Sequence, residues 1–110
     1  MDLRSSAQLQ LRVFAIASRL KEVSADVSVA RGEAFELRER IEQITVSSLI
    51  NGGSAKEELS GLKARLDERE THGERQEREE IRLKGVLFAA RRDHLRQLRA
   101  EKPNQWIVLG

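Results

Sequence analysis

The sequence predicts an all-α fold: a long antiparallel helical hairpin of the coiled-coil kind, pairing into a four-helix bundle. Three observations predict it. Apolar residues recur at an unbroken 3-4 spacing from Leu9 to Ile44. A glycine-containing break follows, flanked by helix-stop and helix-start signals. Leu, Ala, Glu and Arg dominate, charged residues make up 35% of the chain and aromatics 4%, which is the make-up of long helices. One domain over residues 1–110 is expected.

The first helix is expected over about residues 6–49. Ser5 and Gln8 have the spacing of a capping box, in which each side chain satisfies the other residue's backbone N–H. The apolar series Leu9, Val13, Ile16, Leu20, Val23, Val27, Ala30, Ala34, Leu37, Ile41, Ile44 then marks one face of a helix that packs along a single seam. Residues 50–54 read as the turn. Asn51 and Gly52 suit a left-handed helix stop, and Ser54 with Glu57 offers a second capping box.

The second helix is expected over about residues 55–102, ended by Pro103. It opens on Leu59, Leu62 and Leu66 and resumes the same rhythm at Leu83, Leu87, Ala90 and His94. Between them lies DERETHGERQEREE, Asp67 to Glu80, with no aliphatic or aromatic residue. Folding the chain at Asn51–Gly52 pairs positions whose numbers sum to about 103, as in an αα-hairpin. Ala34, Ala30, Val27 and Val23 then face Arg69, Gly73, Gln76 and Glu80.

That juxtaposition raises the main functional expectation. A seam of Leu20, Val23, Val27, Ala30 and Ala34 opposite a charged stretch is half empty. Leaving a valine wet forfeits roughly 1.5–3 kcal/mol. The sequence therefore predicts that the second helix bows or breaks near His72–Gly73 and that a partner helix covers the seam. The competing expectation is a solvated stretch in which Arg and Gln stems cover the alanines, with pairs such as Glu74–Arg78 and Glu80–Lys84. A second apolar stripe, Leu11 and Phe14 with Ile81, Phe88 and Leu95, points to further helices, most simply those of a second copy.

Beyond Pro103 the apolar tail Trp106, Ile107, Val108 and Leu109 is expected to cap the open end of the bundle, with partner docking as the alternative. Arg91, Arg92, Arg96 and Arg99 form an outward basic arc fit for phosphate contacts. No aromatic stacking set or helix-turn-helix spacing accompanies them.

Catalysis finds no support. There is no cysteine, hence no disulfide, thiolate site or cysteine nucleophile. His72 and His94 are about six helical turns apart. Glu68 and His72 have a ligand spacing but lack a third ligand, and His94 reads as a seam residue. No cofactor or metal is expected. The longest tight apolar cluster, Val86 to Ala90, is too short to span a bilayer, so no membrane contact and a cytoplasmic location are expected.

The functional expectation is thus a non-enzymatic protein-interaction module, an adaptor, assembly factor or chaperone, whose partner is a second copy or another helical protein. Nucleic-acid binding through the basic end is the alternative. In outline the chain is similar to helical-hairpin export chaperones and stalk components of bacterial secretion systems, and to small phage-encoded proteins that block a host factor. No family motif accompanies that likeness.

Overall fold

The computed structural model describes residues 5–101. They form two α-helices joined by a short turn, an antiparallel helical hairpin with no strand among the described residues: α1, Ser6–Asn51, and α2, Lys56–Glu101. The packing divides into two compact units. The inner unit is residues 23–78, the turn and the helical stretches that flank it. The outer unit joins the chain-terminal stretches, and its described residues are 5–22 and 79–101.

The start of α1 is capped as its spacing predicts. Ser5 N–H donates to Gln8 Oε1 at 3.0 Å, and Gln8 N–H donates to Ser5 Oγ at 3.3 Å. Two of the first-turn N–H groups that no helical carbonyl can reach are satisfied this way. At the far end, Gly52 has φ of 66°, the only positive φ among the described residues. A side chain is strained in that conformation, and glycine is not. The Ser48 hydroxyl donates to the Gly53 carbonyl oxygen and closes the turn.

The second cap differs from expectation. α2 begins at Lys56, with Leu59 N–H donating to the Ala55 carbonyl at 2.9 Å. Ala55, not Ser54, therefore occupies the capping position, and no hydrogen bond joins Ser54 to Glu57 among the described residues. Glu57 and Glu58 in the first turn and Arg99 in the last still complement the helix dipole.

α2 is continuous through Asp67–Glu80, and the predicted break at His72–Gly73 does not occur. The register explains why. A Cβ placed on Gly73 would lie 3.6 Å from the Ala30 Cβ, so α2 passes close to α1 at the pair whose numbers sum to 103. With no side chain at Gly73 and only methyls on Ala30 and Ala34, this part of the inner unit needs little filling.

The two units close in different ways. The outer unit buries Leu9, Leu83, Leu87 and Ala90. The inner unit buries Val23, Val27, Ala30 and Ala34, at 1%, 2%, 3% and 4% exposure, together with Gly73. The half-empty seam is thereby corrected: four of its residues are among the best covered of the described residues. Leu20, the fifth residue of that seam, is half-buried.

Candidate protein-interaction surface

Polar side chains are held in place beside two residues of the inner seam, Val27 and Ala34. Asp26 precedes Val27, and its Oδ2 accepts two hydrogen bonds, from Gln76 Nε2 at 2.6 Å and from His72 Nε2 at 2.7 Å. An ionised carboxylate only accepts, so the His72 proton sits on Nε2. The bond from Gln76 first, and that from His72 next, hold the Asp26 carboxyl below its usual range. Glu33 precedes Ala34 and lies 3.5 Å from Arg69. Arg69, His72 and Gln76 are each half-buried. The tethers hold them next to Val27 and Ala34 in sequence register, where side-chain stems can cover apolar surface in place of leucines.

Besides Arg40–Glu58 at 3.6 Å, two further ion pairs cross between the helices of the inner unit. Arg31 meets Glu77 at 2.6 Å, and Arg38 meets Glu70 at 2.7 Å. They flank an open groove of about 510 Å³ whose floor includes Ala30, Ala34 and Gly73, with the exposed Phe35 at its side. The expected Glu74–Arg78 pair takes another form, with Arg78 Nε donating to the Glu74 backbone carbonyl at 3.4 Å. Glu80 and Lys84 are 3.9 Å apart.

The second stripe is exposed. In the outer unit Leu11 is 70% exposed, Phe14 71%, Ile81 69%, Phe88 71% and Leu95 47%. Ile81, Phe88 and Leu95 are seven residues apart and so lie along one line of α2. Arg91 and Arg92 stand three and four residues after Phe88, and four and three before Leu95, so they flank that line. Nearby, Arg82 Nε and Nη2 donate to the two Glu79 carboxylate oxygens at 2.9 and 2.6 Å. This lowers the Glu79 carboxyl and raises the Arg82 guanidinium from their ordinary values.

Among the outer unit's described residues there are nine Lys/Arg and five Asp/Glu; the inner unit has nine and twelve. All five outer acids have partners. Glu22 meets Arg19, Glu79 meets Arg82, Glu80 approaches Lys84, and Asp93 approaches Arg92. Glu101 accepts from the Ser6 N–H at 3.0 Å and from the Ser6 hydroxyl. Arg12, Lys21, Arg91 and Arg96 have no ion pair among the described residues. Of the predicted arc, Arg91, Arg92, Arg96 and Arg99 are all exposed.

The tail residues Trp106, Ile107, Val108 and Leu109 lie outside the described residues. His94 is half-buried on α2. Among the described residues, no group of three or more His, Cys, Asp or Glu side chains could hold a metal ion, and no helix is long and apolar enough to cross a membrane.

Two features escaped the sequence reading. One is the Asp26–His72–Gln76 cluster. The signal was present, because the same register sets Gln76 opposite Val27 and hence beside Asp26. The other is an exposed apolar face on the α1 part of the inner unit, carrying Phe35, Val46, Leu49 and Ile50. It was masked by the acids interspersed with it. No family model matches the chain, and neither a curated protein nor a solved structure matches it.

Proposed function

We propose that this chain is a non-enzymatic protein-interaction module, of the adaptor, assembly-factor or chaperone kind, that offers an exposed helical face to partner helices. The observation that carries the reading is the stripe Leu11, Phe14, Ile81, Phe88 and Leu95, left open while the hairpin's own seam is filled. Heptad spacing along Ile81, Phe88 and Leu95 suits a helix laid alongside α2. The reading thus moves the docking surface from the central seam to the outer face. Pairing with a second hairpin into a four-helix bundle is one form it takes.

The test places a photo-crosslinking amino acid at Phe88 and, as a control, at the exposed polar Lys63, in cells that naturally make the protein. A discrete adduct from position 88 and none from position 63 is expected. Equal labelling at both sites, or none at 88, sinks the reading.

A second reading, nucleic-acid binding, is favoured by Arg91 and Arg96, which have no ion pair among the described residues, within a net basic unit. It requires binding to a mixed-sequence duplex that weakens steeply with salt. A chain that binds no duplex at low salt rules it out.

A further inference from the structure

The outer unit's face is basic and apolar, and the inner unit carries a face of the opposite charge with similar apolar content. Helical spacing sets Phe35, Glu39, Glu42, Val46 and Ile50 on one side of α1, because successive members are three or four residues apart or one heptad further on. Phe35 is 58% exposed, Val46 48% and Ile50 77%. Glu39, Glu42, Val46 and Ile50 also line one shallow groove. Glu36, Glu39 and Glu42 have no ion pair among the described residues, although nine Lys/Arg belong to the same unit. The inner unit's cations are used elsewhere in part: Arg31, Arg38, Arg40 and Arg69 pair with Glu77, Glu70, Glu58 and Glu33.

Each chain therefore presents two unsatisfied surfaces that complement each other. One has phenylalanine and aliphatic side chains flanked by Arg91, which has no ion pair among the described residues, and by Arg92, which lies 3.9 Å from Asp93. The other has phenylalanine and aliphatic side chains flanked by glutamates that have no ion pair among the described residues. Their lengths also match: Ile81 to Leu95 and Phe35 to Ile50 span about four helical turns each.

We infer that the occupant of the outer unit's stripe is a second copy of this chain, whose acidic inner-unit face, Phe35 to Ile50, docks along Ile81–Phe88–Leu95 with Glu39 and Glu42 meeting Arg91 and Arg92. This rests on the interaction-module reading and names its partner. Such a contact is heterologous, joining two different patches, so every copy both gives and receives. Apolar burial supplies the attraction, and the charge match sets which face meets which. A face meeting its own like would bring arginine to arginine or glutamate to glutamate, which the arrangement disfavours.

The experiment is absolute mass by light scattering after size exclusion, across a micromolar concentration series, on four forms of the full chain. These are the wild type, Arg91→Glu/Arg92→Glu, Glu39→Lys/Glu42→Lys, and all four changes together. All four sites are exposed, and circular dichroism verifies that each form stays helical. The wild type is expected to exceed the mass of one chain. Each charge-reversed pair should weaken association by about tenfold or more, and the combined form should regain it, since reversed acids then meet reversed bases. Single-chain mass for the wild type, or a combined form no better than its parents, overturns the inference. A monomer that still yields a Phe88 adduct with a different protein overturns self-docking alone and leaves the broader reading standing.

Discussion

The outer and inner units solve one problem with different materials. Both must close two antiparallel helical stretches. The outer unit does so with bulk, burying Leu9, Leu83 and Leu87. The inner unit brings the backbones together at Ala30 and Gly73, and ties polar side chains to Asp26 and Glu33, the neighbours of Val27 and Ala34. A charged stretch is thus no sign of an unfilled core when its partner stretch is small. The space to be filled shrinks with the side chains.

The contrast breaks most sharply under truncation. Leu87→Ala should cost about 2–5 kcal/mol in denaturant unfolding, because a leucine core cannot collapse fully around the void. A loss under 1 kcal/mol there would mean the outer unit is loosely packed. The opposite change probes the inner unit. Ala30→Leu should cost about 1–3 kcal/mol by overpacking, since its added atoms would crowd α2 where it approaches at Gly73. If it stabilised the protein, the close approach would not be what closes this unit.

A finer probe is Gly73→Ala. Its new Cβ would meet Ala30 at 3.6 Å, an ordinary contact. The substitution should therefore stabilise the protein by up to about 1 kcal/mol through helix propensity alone. A loss would place the helices closer than described.

The smallest effect is a dependence on acidity. Asp26 is held below the ordinary carboxylate pKa by Gln76 and His72. A group whose folded pKa is depressed adds stability above its unfolded value, near 4, and that contribution is lost as pH falls through the folded value. Asp26→Asn should lower Tm slightly at neutral pH, and the gap to wild type should narrow below about pH 4. A gap that stays constant down to pH 2 would show that the cluster does not hold Asp26 in its charged form.

Much of this was legible in the sequence. The series from Leu9 to Ile44 located α1, Gly52 located the reversal, and the Ser5–Gln8 box located the first helix start. The register was legible too, with Ala30 opposite Gly73. What could not be read was the filling of the inner seam. Counting apolar residues treats Arg69 and Gln76 as blanks, whereas their aliphatic stems cover surface once a neighbouring carboxylate fixes the charged or polar end. The capping position of α2 was misplaced for a similar reason: Ser54 has the right chemistry, but the tight turn after Gly52 puts Ala55 there instead. The acidic face of α1 was hidden because Glu39 and Glu42 interrupt its apolar residues.

The turn at Gly52 also sets an order of events. Only a few residues separate Asn51 from Lys56, so closing that loop costs the chain little entropy. Ser6 and Glu101, by contrast, meet across 95 positions. Assembly from the unfolded chain should therefore begin beside Gly52 and zip outward, each new contact shortening the loop that the next must close. Ile44→Ala, beside the turn, should then slow refolding, whereas Leu9→Ala should mainly speed unfolding. The leucines of the outer unit are the clasp fastened last, and refolding that slows equally in both variants would show a chain that closes everywhere at once.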